Sequence, residues 1–323
     1  MGWGPSHAHP RVHARGGPGA REPCGAGSAA DPKRTTGICD YIILRLQQHV
    51  NGTIGSPSTV GWLDSLPLEG SYVPIESCGM LADGSAVGPN QYMETNWEGD
   101  FGGYRYSCLF PLFVSKRVDP GFFNALWEQA TSSETVLQTM IRLIGEDAVK
   151  CMVQEYGARN AIGDYLEFSS DLQRQTSVGS GSWFYTDTVD QGGWLVPSDP
   201  VRLPRHTGRN NIPISVDSGA TDVSVEFSPD ATGSEGSPSE LVAQIVYRAD
   251  DGSAVFSPPV TSGTTLVSLT LPPANDVVIV VVSSVKMDGY NNAESYGWDP
   301  DEAFGYQLRV TGGTPANTDV KYF

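Results

Sequence analysis

The sequence contains no long apolar run and few cysteines. No segment reaches the roughly 18 uninterrupted apolar residues of a membrane-spanning helix, and no signal-peptide-like apolar stretch follows Met1. We therefore expect no membrane insertion. The five cysteines include no Cys-x-x-Cys pair, so they predict neither a disulfide scaffold nor a zinc site. A single disulfide between Cys78 and Cys108 is one interpretation, suited to an oxidising compartment, and buried free thiols are the other.

Positive charge is also scarce. The chain has 20 Lys and Arg against 37 Asp and Glu, which gives a formal net charge of −17. The first 36 residues carry a balance of +3, so the rest of the chain carries −20. Nucleic acids and anionic membranes are bound through clustered Lys and Arg, so this acidic body excludes both as partners. Only 18% of residues are charged, a composition typical of extracellular proteins, and we expect secretion.

The chain does have the material for packed cores, with 39% hydrophobic residues and seven Trp. We predict an α+β fold of two domains, in which a mainly helical unit precedes an antiparallel β-sandwich of jelly-roll type. The predicted segments are residues 1–37, disordered or an incorrectly assigned gene start; 38–175, the helical domain; 176–204, a connector; 205–313, the sandwich; and 314–323, a tail. Nothing in the sequence indicates the oligomeric state.

The clearest helix signals follow residue 118. Asp119 and Pro120 fit the N-cap and the first position of a helix. Its predicted buried stripe consists of Phe122, Phe123, Leu126, Trp127 and Ala130. A capping box at residues 131–134 opens the next helix, which Gly145 ends. Further helical turns are expected around Ala148–Tyr156 and Ala161–Leu172.

The hydrophobic period changes from about 3.6 to 2 beyond residue 205. Apolar and polar residues alternate around Val223–Phe227, Leu241–Tyr247, Val267–Leu271 and Phe304–Val310. Residues 277–282 are continuously apolar, which predicts a central strand buried on both faces. A hairpin turn is expected at Gly252. Short strands separated by Gly, Pro and Asn turns favour a sandwich.

Three segments, LQQHVNG, GGYRYSCLFPLFVSKR and DPGFFNALWEQA, precede the sandwich in that order. This order resembles an uncharacterised group of secreted proteins related to gluzincin zinc metallopeptidases. The segments RHTGRNNIPISVD, DVVIVVVSS and FGYQLRV are similar to that group's first, central and terminal sandwich strands. The resemblance covers about residues 38–312. It implies a peptidase-like helical unit followed by a sandwich of carbohydrate-binding-module type.

The gluzincin relatives bind zinc through a His-Glu-x-x-His helix, whose glutamate activates the metal-bound water. Aligning LQQ with the end of that helix puts Asp40, Tyr41 and Leu44 at the three positions. Leu44 has no donor atom, so zinc binding and peptidase activity are not expected of the chain as written. His49 is the nearest histidine, either a remnant of a zinc site or a solvated or capping group at a helix end.

An acidic and aromatic segment, QYMETNWEGD, offers the first alternative site. Glu94 and Glu98 flank Trp97, so they could act as a catalytic acid and base, with Trp97 stacking on a sugar ring. A solvated acidic loop without chemistry is the other interpretation. The resemblance places this segment near the third metal ligand, which makes Glu94 or Glu98 the candidate survivor of an ancestral site.

The loop DGYNNAESYGWDPDEAFGY offers the second alternative site. Its dense oxygen ligands suit Ca²⁺, which takes six to eight of them, and the candidates are Asp288, Asn291, Asp299 and Asp301. Tyr290 and Trp298 could form a ligand platform or cover the end of the sandwich. A polar loop without metal is the alternative. Calcium is thus the one cofactor that the sequence indicates.

We expect a secreted, metallopeptidase-like protein that is non-catalytic as written, with a sandwich that binds extracellular glycan, cell-surface material or protein. The alternative is an active zinc metallopeptidase or glycan hydrolase whose metal-binding helix is missing or altered. A third possibility is a structural extracellular adaptor with no small-molecule site.

Overall fold

In the part of the chain that the structure describes, three α-helices of at least eight residues precede the sheets. The structure, a computed structural model, describes residues 113–114, 117–118, 122–129, 136–164, 185–287, 302–319 and 322. The helices are α1 (Phe122–Gln129), α2 (Val136–Ile144) and α3 (Glu146–Asn160). Phe122 and Leu126 are buried as predicted, whereas the other side chains of that stripe lie outside the described residues. Gly145, with a φ of +90°, separates α2 from α3 and confirms the predicted stop.

The rest of the described chain forms two antiparallel sheets of five strands. Sheet 1 has the order β1-β2-β9-β4-β7, and sheet 2 has the order β10-β3-β8-β5-β6. The strands are β1 (Thr188–Asp190), β2 (Leu195–Pro197), β3 (Arg209–Val216), β4 (Asp222–Pro229), β5 (Leu241–Arg248), β6 (Ala254–Phe256), β7 (Gly263–Ser268), β8 (Val277–Ser284), β9 (Tyr306–Thr311) and β10 (Gly313–Pro315).

The main core lies between the two sheets. Alternate residues of the long strands meet there, because successive side chains of a strand point to opposite faces. The buried members come from both sheets and include Ile212, Val225, Phe227, Ile245, Val280 and Leu308. The alternation read from the sequence is therefore confirmed for β4, β5 and β9, whereas of the alternating residues predicted at Val267–Leu271 only Val267 lies in β7, and Leu271 is exposed. The turn at Gly252, with a φ of +85°, joins β5 to β6 as expected.

Strand β8 is the middle strand of sheet 2, and each of its eight residues is buried. Val278, Val280 and Val282 enter the core between the sheets. On the opposite face, Val277, Ile279 and Val281 pack with the residues at the end of α3, Ala158, Ala161 and Ile162. The continuous apolar run thus reflects a strand covered by sheet 1 on one side and by a helix on the other.

The described chain is mostly β, so the fold is α+β only in broad terms. The prediction of a mainly helical first unit is not supported, since much of that unit lies outside the described residues. The segment predicted as a connector contains β1 and β2, which extend sheet 1. The domain boundaries and the jelly-roll connectivity stay predictions. None of the described helices is long and apolar enough to cross a membrane.

Cys151, on α3, is disulfide-bonded. The other four cysteines, including the predicted pair Cys78 and Cys108, lie outside the described residues.

Candidate functional site

The residues predicted for a site all lie outside the described residues. These are His49, Glu94, Trp97, Glu98, Asp288, Tyr290, Asn291, Trp298, Asp299 and Asp301, together with the zinc-helix positions Asp40, Tyr41 and Leu44. The described chain stops at Met287 and resumes at Glu302, on either side of the loop predicted to hold calcium. Within the described ranges, no three His, Cys, Asp or Glu side chains are grouped so that they could hold a metal ion. The calcium and zinc hypotheses therefore stay untested.

The end of the sandwich next to that loop carries a group of buried polar side chains. Glu302 is 6% exposed and accepts hydrogen bonds from the backbone N–H groups of Glu235 (3.0 Å) and Ser237 (2.9 Å), and from the Ser237 hydroxyl. Burial alone would raise the pKa of Glu302, but these hydrogen bonds outweigh it and hold the pKa below its usual value. The carboxylate is thus fully engaged in holding the loop between β4 and β5.

An ion-pair group joins α3 to the same end. The Lys150 ammonium lies 2.5 Å from one carboxylate oxygen of Glu240, and the Lys286 ammonium lies 3.7 Å from the other. Burial would lower the pKa of Lys150, yet its hydrogen bonds to Glu146 and Glu240 raise it overall. Opposite charges therefore pair within the group, which indicates that it fixes α3 against the strand ends.

Tyr306 and His206 complete this end. Burial raises the pKa of Tyr306 well above its usual value, so the phenol stays protonated. The His206 ring meets Phe304 edge-on at a centroid distance of 5.6 Å. The side chains of Tyr306, His206 and Phe304, and that of the neighbouring Asn210, are all buried. We interpret this end as structural, because the Glu302 and Glu240 carboxylates are each held by groups of the protein itself.

The outer face of sheet 1 has the opposite character, because its side chains are exposed and lie in register. A row of four residues crosses the sheet from β2 to β7. Three of them lie in β9, β4 and β7, and the fourth is the last residue of the turn before β2. The row consists of Trp194, Arg309, Glu226 and Thr264. Glu226 is paired with both Arg309 and Thr264, and Trp194 lies beside Arg309 because Leu195 pairs with Leu308. Since strands lie about 4.8 Å apart, the row is about 14 Å long.

Contacts within the row hold its side chains in place. The Arg309 guanidinium lies 4.2 Å from the centroid of the Trp194 ring, a cation–π arrangement. The same guanidinium donates to Glu226 at 3.0 Å, and the two side chains are 48% and 45% exposed. Trp194 is partly exposed. An aromatic ring and a string of hydrogen-bonding groups therefore face the solvent together.

The turn between β1 and β2 explains how Trp194 reaches the row. Gly192 and Gly193 both have positive φ, 69° and 86°, which side chains rarely adopt. The N–H of Gly193 donates to the Asp190 carboxylate at 2.7 Å, and the N–H of Gln191 donates to the Trp194 carbonyl at 2.7 Å. The tight turn thus starts β2 with the indole on the outer face.

Comparison with known proteins places the chain in a family. The model of a Family of unknown function (DUF6055) matches residues 102–317. The chain belongs to this family. The matched region contains all of the described helices and strands, including the whole row on sheet 1. No curated protein matches the DUF6055 chain, and no solved structure matches it either.

The row was not predicted from the sequence. Trp194 was assigned to a connector, and its two flanking strands are only three residues each. One local signal was present, since a Gly-Gly pair between two short apolar stretches is typical of a hairpin turn. The register that brings Arg309 and Glu226 beside Trp194 depends on pairing across more than 100 residues of chain, which no local pattern reveals.

Proposed function

We propose that this protein is a secreted, non-catalytic binding protein whose sandwich holds a neutral glycan chain on the outer face of sheet 1. The observation that carries the proposal is the row formed by Trp194, Arg309, Glu226 and Thr264. A sugar ring needs an apolar face to stack on and polar groups around its rim, and the row offers an indole beside a guanidinium, a carboxylate and a hydroxyl.

The surrounding face supports a saccharide rather than a protein as the ligand. Near the row, the outer positions of β4 and β9 are polar: Ser224, Ser228, Gln307 and Thr311. Protein interfaces instead place apolar and aromatic residues at a desolvated centre. Hydroxyl and amide groups beside an aromatic ring suit a ligand that is itself covered with hydroxyl groups, while the exposed apolar side chains of this sheet, Val189 and Leu266, lie on its edge strands.

Charge favours a neutral glycan over an acidic one. Arg309 is the cation of the row, and Glu226 neutralises it at 3.0 Å. The chain as a whole carries −17, so an acidic polysaccharide would approach against a repulsive field. A neutral polysaccharide meets no such cost.

Secretion and descent from gluzincin metallopeptidases belong to the same proposal. The disulfide at Cys151 supports an oxidising compartment, where disulfides persist. Descent rests on the segments quoted above, and absence of catalysis rests on Leu44, which aligns with the second histidine of the gluzincin motif and has no atom that could bind a metal.

Affinity electrophoresis of the whole chain in gels containing xylan, glucomannan, mixed-linkage β-glucan or polygalacturonate tests the proposal. We expect at least one of the three neutral polymers to retard the protein and polygalacturonate not to. Trp194→Ala should weaken binding at least tenfold, about 1.4 kcal/mol, because the stacking surface is lost. Trp194→Phe should retain part of the binding.

A matched control keeps the result specific. Leu271→Ala removes another partly exposed apolar side chain (39% exposed) outside the row, and it should leave retardation unchanged. If none of the neutral polymers retards the folded protein, or if Trp194→Ala binds as well as the parent chain, the glycan proposal is wrong. Release of reducing ends from any polymer would contradict the non-catalytic part.

A further inference from the structure

Among the residues that the structure describes, the two sheets have four edge strands, and these are protected unequally. Three of them, β1, β6 and β10, are three residues long, and β1 and β10 carry Asp190 and Pro315. Such short strands with a charge or a proline are typical protection against edge-to-edge association. The fourth edge, β7, is six residues long with the sequence GTTLVS. It has no charge and no proline, and its register with β4 runs from Asp222 to Phe227 without a bulge.

The chain around β7 is unusual in an acidic protein. Residues 252–275 contain no charged side chain, although the whole chain carries −17. Two of the exposed large apolar residues also lie here, Leu266 in the middle of β7 (50% exposed) and Leu271 just after it (39% exposed). A second molecule could therefore approach along this edge without placing like charges face to face.

We propose that β7 is a self-association edge, on which a second copy of this chain docks by antiparallel pairing of its own β7. An antiparallel strand edge is complementary to itself, since each copy presents the same alternation of N–H and C=O groups. The twofold axis of such a pair stands perpendicular to the sheet. Sheet 1 then continues through both copies, and the two Leu266 side chains lie close together on the same outer face.

This geometry excludes the opposite edge of the sheet. At β1 only three residues could pair, and the Asp190 carboxylates of both copies would lie within that short contact. The pairing at β7 has to overcome the repulsion between two bodies of −17, which salt screens. Association through β7 should therefore tighten as the ionic strength rises.

Sedimentation velocity of the full chain, from micromolar to near-millimolar concentration and at low and high sodium chloride, tests the proposal. We expect a reversible monomer–dimer equilibrium that is stronger at high salt. Leu266→Lys should raise the dissociation constant at least tenfold, because two ammonium groups would meet near the axis. Val189→Lys, on β1 at a similar exposure of 44%, is the matched control and should leave the equilibrium unchanged or slightly stronger.

Leu266→Thr removes the apolar contact without adding charge, and it should weaken the dimer less than the lysine does. Circular dichroism and the melting temperature of each variant confirm that the fold is intact. A chain that stays monomeric over the whole range overturns the proposal. So does an equal effect of the lysines at positions 189 and 266, or a dimer that dissociates as salt is added. None of these outcomes depends on glycan binding, which is measured separately.

Discussion

Replacing Gln244 by Leu should destabilise the protein strongly, because this side chain connects α3 to sheet 2. The Gln154 amide donates to the Gln244 carbonyl oxygen at 2.5 Å, and the Gln244 amide donates to the Ser257 carbonyl at 2.5 Å. Both glutamines are 6% exposed. Leucine has a similar size but no hydrogen-bonding atom, so the substitution leaves the Gln154 amide and the Ser257 carbonyl buried without this partner.

Each buried group that loses its partner costs about 1–3 kcal/mol, and two groups lose theirs, so we expect Gln244→Leu to lower the free energy of unfolding by about 2–6 kcal/mol. Gln154→Leu leaves one group, the Gln244 carbonyl oxygen, without its donor and should cost less, about 1–3 kcal/mol. In the double variant that shared bond is absent from both sides. Its loss should therefore be at least about 1 kcal/mol smaller than the sum of the single losses.

Urea unfolding at equilibrium, followed by tryptophan fluorescence, measures the three variants. Gln191→Leu is the matched control, since this glutamine is exposed in the turn after β1, and its effect should stay within about 0.5 kcal/mol. Strict additivity of the two single losses would refute the direct contact between α3 and β5. A Gln244→Leu variant as stable as the parent would refute the energetic role of the connection.

Two further predictions concern the packing of α3 and the loop before β5. A Cβ atom at Gly157 would lie 2.8 Å from the Ser283 hydroxyl oxygen, so Gly157→Ala should lose about 1 kcal/mol in urea unfolding, the crowding exceeding the roughly 1 kcal/mol that alanine gains in a helix. Adding Ser283→Ala removes the hydroxyl and should recover part of the lost stability. A Gly157→Ala variant more stable than the parent would contradict the close packing of Gly157 against Ser283. In the folded protein the pKa of Glu302 lies below its usual 4.5. Its contribution to the free energy of unfolding is therefore complete above pH 4.5 and disappears as the pH falls through the folded pKa. Glu302→Gln should therefore be less stable than the parent at about pH 7, by about 1–3 kcal/mol in the free energy of unfolding, and the difference should shrink as the pH falls below 4.5. Melting temperatures across this pH range measure the difference, and one that widens in acid would show that the carboxylate is not held in its charged form.

The sequence predicts the long strands well, because a strand with one buried face alternates apolar and polar residues, and this alternation is visible within a few neighbouring residues. Val223, Val225 and Phe227 alternate with polar residues, and a strand with one buried face is the structure that fits this alternation. The continuous run of β8 was also interpreted correctly, since only a central covered strand removes both faces from water. The period does not identify what covers each face. Helix α3 lies on sheet 2 through Gly157 and Gln154, which contact Ser283 and Gln244. Both partners belong to strands far along the chain, so no local pattern reveals these contacts.

The candidate site could not be predicted for a related reason. Sequence reasoning favours segments dense in acids and aromatics, such as those around Trp97 and Trp298, because their chemistry is visible in one window. The row on sheet 1 takes one residue from each of four distant segments, and none is unusual where it stands. Only the register between Arg309 and Glu226 gives the set a meaning.

The position of α3 gives the sandwich two unlike sides, one occupied by a helix and one facing outward. The sheets lie about 10 Å apart, and a helix packed on a sheet has its axis about 10 Å from the plane of that sheet, so the axis of α3 stands roughly 20 Å from the plane of sheet 1. A molecule resting on Arg309 and Glu226 would thus be kept two layers away from α3. If the proposed glycan binding holds, the sandwich is a spacer of fixed thickness between the bound polymer on one side and α3 on the other.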